Sequence, residues 1–190
     1  SIETQLAIGS DIMMVLDQCV PSTCDRATAK HALELTTRWA RRSLKARGDS
    51  ALICIDTWYA GVDHWKGARE KIKGHFGRPD LYYKFMANVI EQGCQDVIIP
   101  LASDSINGAR ILRWLGIFPD LVYVDASHEE GDVLQDYEAY WDILKPRGGL
   151  LVDDLTNHFP GVLRDWEKFT SKQCVHPVLT EGEKALVIKP

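Results

Sequence analysis

The chain has 190 residues, enough for one sizeable domain with its own hydrophobic core. Its net charge of −5 argues against a general nucleic-acid binder, while 45% hydrophobic and 26% charged residues are ordinary for a soluble globular protein. No apolar run approaches the roughly 20 residues needed to cross a bilayer, and no leader-like stretch opens the sequence, so a cytoplasmic protein is expected.

Strand-like and helix-like segments alternate along the chain. Ile2–Ile8 fits a short helix closed by Gly9, and Asp11–Leu16 (DIMMVL) an apolar strand. Pro21–Asp25 is a turn in which Ser22 and Asp25 resemble a capping box. Ala27–Ala46 predicts a long helix with Ala29, Leu33, Thr36, Ala40 and Leu44 on one face, ended by Gly48. Ala51–Ile55 is the next strand. Thr57–Pro79, rich in Gly, Trp, His and Lys, has no clean period and reads as an irregular excursion.

Leu81–Gln92 predicts a helix, Val97–Pro100 a strand and Ser105–Leu115 another helix. The stretch Leu121–Asp154 then carries two apolar runs, Leu121–Val124 and Leu150–Val152, each ending in carboxylates. A helix around Val133–Leu144 and a Pro/Gly turn join them. Gly161–Lys172 predicts a further helix, and His176–Thr180 with Ala185–Ile188 an antiparallel hairpin turning at Glu181–Gly182–Glu183. The alternation implies an α/β, Rossmann-like, doubly wound and mostly parallel sheet with a C-terminal antiparallel hairpin, in a single domain spanning 1–190. In such a sheet ligands bind beyond the carboxyl ends of the strands, where these acids lie.

Five cysteines, Cys19, Cys24, Cys54, Cys94 and Cys174, are scattered and odd in number, so reduced thiols are expected rather than a zinc knuckle or a disulfide framework. Opening on Ser1 rather than Met is expected of a trimmed or excised piece.

From about Ile53 to Pro190 the sequence resembles a class I S-adenosylmethionine-dependent methyltransferase, closest to the metal-dependent sugar and catechol O-methyltransferase branch. The residues carrying this are ICIDTW (Ile53–Trp58), RPDLYYKFMANV (Arg78–Val89), PLASDS (Pro100–Ser105), DLVYVDASHE (Asp120–Glu129) and LKPRGGLLVDD (Leu144–Asp154). The first 50 residues, with GSDIMMVLDQC and AKHALELTTRWARRSLKARGDS, are instead similar to a piece of bacterial tRNA-guanine transglycosylase, a TIM-barrel enzyme. Asp17 and Cys19 match that family's base-recognition residues and Gln18 departs from them. Its nucleophilic aspartate and zinc cysteines have no counterpart here, so base exchange is not expected.

The methyltransferase resemblance implies a role for each strand end. Asp56 would bind the cofactor ribose, since two acceptor oxygens suit a diol. Ser103 and Asp104 would lie near adenine, with Asp125 also at the cofactor. Asp125, Asp153 and Asp154 would converge on Mg²⁺ or a similar divalent cation, because clustered carboxylates repel without one. His128, in a D-x-x-H pattern after Asp125, would be the base that takes a proton from a hydroxyl acceptor. Plainer roles compete with these: Asp56 as a loop cap, Ser103 and Asp104 as loop formers, Asp125 and Asp153 as helix caps, and His128 as a surface residue beside Glu129 and Glu130.

The resembling enzymes place a glycine-rich turn after the first strand so that backbone can approach the cofactor tail. Between Gly9 and Gly48 this chain has no glycine. The expectation is a chimera with its seam near Gly48–Ile53 and with S-adenosylmethionine binding impaired or lost. A working metal-dependent O-methyltransferase acting on a small hydroxyl compound is the alternative. A non-catalytic tRNA-binding fragment using Arg38, Arg41, Arg42, Lys45 and Arg47 is a third, although a solvated helix face explains that run better. Trp58, His64 and Trp65 are expected to pack a lid.

Overall fold

A computed structural model describes residues 51–60, 74–75 and 78–190, together with Asp25, Ala27 and His31. The expected Asp11–Leu16 strand, the Asp17–Pro21 loop, His64, Trp65 and the Arg38–Arg47 run fall outside the described residues. Ala27 and His31 are helical, and Ala27 donates its N–H to Asp25 Oδ1 at 2.8 Å, consistent with a helix beginning there.

The chain divides into two compact units: Ser1–Cys54 with Trp58–Leu101, and Ile55–Thr57 with Ala102–Pro190. Strands β1 (Leu52–Asp56) and β4 (Ile98–Ala102) form a two-stranded sheet. Its bonds from Leu52 N–H to Val97 C=O and from Ser103 N–H to Asp56 C=O advance in the same direction along both chains, the parallel arrangement. In the first unit, β2 (Gly74–His75) and β3 (Arg78–Pro79) pair antiparallel, a local order that the expected irregular excursion does not contain. Helix α1 (Leu81–Glu91) follows. Trp58 is buried there against Tyr82 and Phe85, with ring centroids 5.0 and 5.2 Å away, so it is a packing residue.

The second unit holds α2 (Ser105–Trp114), β5 (Leu121–Val124), α3 (Asp132–Ile143), β6 (Gly149–Val152), α4 (Pro160–Gln173), β7 (Leu179–Glu181) and β8 (Lys184–Ile188). Its sheet runs β5-β6-β8-β7, with β5 and β6 parallel and the last two strands antiparallel. Strand β6 is buried along its whole length, which is why Gly149–Val152 reads as an unbroken apolar run. The hairpin turn places Gly182 at φ +59°, a conformation glycine adopts without strain.

The core packs Leu150, Val152 and Val187 of the sheet against Tyr137, Trp141 and Phe169 of the helices. Helix α3 lies against both α2 and α4. Its ends are fastened by side chains from elsewhere. The fully buried Asp165 of α4 accepts N–H bonds from Gly131 at 2.6 Å and Leu134 at 3.2 Å. At the other end Lys189 Nζ donates to the carbonyls of Trp141 at 2.6 Å and Leu144 at 2.8 Å. Each satisfies helix-terminal groups with no partner inside the helix and complements the dipole.

A second buried carboxylate, Asp136, sits on α3 itself. Burial pushes Asp136 up to about 6, with Asp132 and Asp104 adding to the rise and a Ser105 hydrogen bond opposing it. An acid with a raised folded-state pKa binds its proton more tightly when folded, so stability falls as pH climbs from about 4 to about 6. Asp136→Asn should therefore match the parent below pH 4 and exceed it by roughly 2 kcal/mol above pH 6, the opposing Ser105 bond trimming the gain. Urea unfolding at pH 4, 5, 6 and 7 measures this. A difference independent of pH would contradict it.

Among the described residues no helix is long and apolar enough to cross a membrane.

Candidate active site

The register of the second unit's sheet assembles the site. Val124 pairs with Val152 and Val152 with Ala185, so Asp125, Asp153 and Lys184 follow side by side where these pairings end. Residues two apart share a face, which sets Tyr123 beside Asp153 on the same side. Asp153 N–H is held by Val124 C=O at 3.1 Å. The sequence places acids at both strand ends, and the structure brings them together.

The expected metal centre takes a different form. Asp153 Oδ2 accepts from Lys184 Nζ and from the Tyr123 hydroxyl, while Oδ1 accepts from Asp154 N–H at 2.9 Å. Lys184 Nζ also donates to the Tyr123 hydroxyl at 2.9 Å and lies 5.2 Å from that ring's centroid. Asp154 Oδ2 is 2.8 Å from His128 Nε2. Asp154 turns away from Asp153 through a left-handed backbone, φ +61°, an uncommon conformation that aspartate tolerates better than most residues. Asp153 and Asp154 are thus drawn to different partners. Among the described residues no group of three or more His, Cys, Asp or Glu side chains is arranged to hold a metal ion. These residues do not fit a divalent cation.

The electrostatics agree. Desolvation works against Asp153, but hydrogen bonds from Lys184 and Tyr123 hold its carboxyl below the ordinary range. Asp125 is exposed on one side; desolvation on the other, with the negative charges of Asp153 and Asp154, raises its carboxyl. Desolvation and the Asp153 hydrogen bond push the Tyr123 phenol up to about 12. Tyr123 is therefore a neutral donor at physiological pH.

His128 is built in from three sides. Its imidazole stacks on Phe159, centroids 3.9 Å apart and planes 16° from parallel. Its Nε2 faces Asp154. Its backbone meets the start of α4, where a Cβ on Gly161 would stand 2.8 Å from both His128 O and Glu130 N. Only glycine permits that approach. The side chain stays about one-third exposed, so its ring is positioned and still reachable.

Of the residues expected at the cofactor, Asp56, Ser103 and Asp104 stand at the ends of β1 and β4, and Asp125 after β5. Asp56 and Ser103 are joined by the Ser103 N–H bond to Asp56 C=O at 3.1 Å. Asp104 commits both oxygens to Asn107, Oδ1 to its N–H at 2.9 Å and Oδ2 to its side-chain amide at 2.8 Å. It is the N-cap of α2, a role the sequence reading, which weighed an adenine contact against a loop former, does not name. Sequence reasoning missed Lys184. Its signal was the hairpin: the first residue of a strand returning antiparallel to β6 lies opposite the residue that follows β6.

Similar solved folds are methyltransferases. The O-methyltransferase from Bacillus cereus, solved in complex with SAH, has a TM-score of 0.50 at 13% identity, covering 82% of this chain and 69% of that one. TomG from Streptomyces achromogenes, an O-methyltransferase solved with SAM, has a TM-score of 0.51 at 15% identity over the same shares, 82% and 69%. These likenesses establish the fold class: α/β, Rossmann-like, of the class I methyltransferase type. A family model described as "Methyltransferase domain" matches residues 35–155, and the chain belongs to that family.

The amino-terminal part has other relatives. A model described as "Queuine tRNA-ribosyltransferase" matches residues 1–59. The enzyme of that name from Pseudomonas aeruginosa is 50% identical over 50 residues, 26% of this chain and 13% of its own length. That from Solidesulfovibrio magneticus is 60% identical over 45 residues, covering 24% and 12%. The chain spans about one-eighth of the length of the curated relatives it matches.

Proposed function

We propose that this chain is an S-adenosylmethionine-dependent O-methyltransferase scaffold with weakened cofactor binding, acting where it acts on a small hydroxyl compound. Residues 1–50 are its transglycosylase-like part and residues 51–190 its methyltransferase part, joined as one chimeric domain. The observation that carries the reading is the His128–Asp154 pair at the carboxyl ends of parallel strands, 2.8 Å apart and stacked on Phe159.

When Nε2–H is donated to Asp154, Nδ1 carries the lone pair that accepts a proton. The carboxylate fixes the tautomer and stabilises the imidazolium that follows, the usual logic of a histidine–acid pair. Deprotonating a hydroxyl as it attacks is the requirement of O-methyl transfer. The cofactor, when bound, supplies the electrophilic methyl group on its sulfonium. Asp56, exposed at the end of β1, would meet a ribose diol, with Ser103 tied to its backbone carbonyl. Asp125 stands next to His128 as a further acceptor at the strand end.

Weak binding follows from the sequence between Gly9 and Gly48. That stretch, Asp17–Pro21 included, contains no glycine, whereas the resembling enzymes rely on a glycine turn after their first strand to let backbone approach the cofactor. Isothermal titration should give a dissociation constant for S-adenosylmethionine on the order of 1 mM, weakened further by Asp56→Asn. A micromolar constant would overturn the impairment and support a fully working enzyme. Absence of heat at 10-fold higher cofactor would overturn the cofactor reading itself.

A further inference from the structure

We infer that Lys184 is the resident cation of this carboxylate cluster, its ammonium taking the place of a divalent metal, so that the site handles a hydroxyl acceptor without a metal ion; the inference rests on the O-methyl-transfer reading above. The register argument comes first. Antiparallel pairing of β6 and β8 runs through Val152 and Ala185, so the next pair in order is Asp153 with Lys184. The lysine is therefore delivered to the acid by the sheet itself and not by a loop.

Its bonds come second. Lys184 Nζ holds Asp153 Oδ2 and the Tyr123 hydroxyl, and the ring face of Tyr123 lies beneath it. Tyr123 in turn donates to the same Asp153 oxygen. Cation, acid and phenol form a closed triangle in which each charge has a partner. With Asp154 N–H on Oδ1, neither oxygen of Asp153 is without a donor.

A divalent cation takes oxygen ligands at about 2.0–2.6 Å and favours several carboxylates together. To enter here it would have to strip Lys184 and Tyr123 from Asp153 and draw Asp154 off His128. It would also sit against a displaced ammonium of the same sign, which is unfavourable at these separations. Two of the three Lys184 N–H donors are used among the described residues. The third remains for an acceptor oxygen, where a fixed positive charge favours the developing alkoxide.

Manganese binding followed by electron paramagnetic resonance, without S-adenosylmethionine, tests this apart from the cofactor reading. The parent protein should leave Mn²⁺ free up to about 10 mM, weaker than the weakest protein sites for such ions. Lys184→Ala should bind one Mn²⁺ at least tenfold more tightly, the Lys184→Ala/Asp153→Asn double variant should lose that gain, and Lys184→Arg should behave as the parent. Near-ultraviolet circular dichroism confirms folding, and Lys184→Gln gives the same reading should the alanine variant not fold. Sub-millimolar Mn²⁺ binding by the parent, or no gain in either neutral variant, would overturn the inference. Either result leaves the S-adenosylmethionine titration unaffected.

Discussion

Replacing Asp165 by alanine should lower the unfolding free energy of the chain by about 3 kcal/mol, the largest stability effect expected of a single polar substitution here. The carboxylate is fully buried and bridges two helices: it belongs to α4 and accepts the N–H groups of Gly131 and Leu134 at the start of α3. Helix starts leave amides unpaired, and α3 has no capping side chain of its own because its N-cap is Gly131. Truncation strands two amides in a dry environment and opens a cavity between α3 and α4. Lys168, 3.5 Å from the same carboxylate, loses a partner but keeps Glu130 at 2.7 Å and adds little. Asp165→Asn, which retains one acceptor oxygen, should lose clearly less. Urea unfolding of the three proteins measures the series. A loss below about 1 kcal/mol for alanine would mean that the amides find another acceptor.

His128→Ala should lower kcat/KM for methyl transfer by about 10²–10⁴-fold, assayed at millimolar S-adenosylmethionine, with little change in cofactor affinity. The imidazole is held by an acid, stacked on an aromatic ring and still reachable, and it can accept a proton. Asp154→Asn should fall between the two, because the amide can mislead the tautomer without removing the base. Thermal melts should show His128→Ala folded, since a partly exposed ring contributes modestly to the core. Unchanged turnover would place the base elsewhere and remove the main support for O-methylation.

Much of the fold was legible because its signals are local. Leu121–Val124 and Leu150–Val152 are apolar runs cut off by carboxylates, and they became β5 and β6 within a residue at either end. Helix periodicity located α1 to α4 equally closely, since Val133, Tyr137 and Trp141 fall on one face at spacings of four. The C-terminal hairpin followed from the Glu181–Gly182–Glu183 turn. The short β2–β3 ladder did not, because two residue pairs carry no period.

The site was half legible for a related reason. Acids at strand ends can be read from a sequence; what stands across from them cannot, since that depends on register between segments some 30 residues apart. Lys184 was passed over for this reason, and three carboxylates without their lysine suggested a metal. Asp104 is the opposite case: its carboxylate caps α2 through Asn107 N–H, a partner only three residues along the chain and so within reach of local reasoning.

The two clamps on α3 also bear on the order of assembly. Its amino end waits for Asp165 and its carboxyl end for Lys189, which follows β8. During synthesis the helix emerges ahead of both: its amino pole can close once α4 has followed, its carboxyl pole only after β8. Closing both poles of α3 thus depends on contacts 34 and 48 residues apart along the chain, a high-contact-order step rather than growth outward from the first elements made.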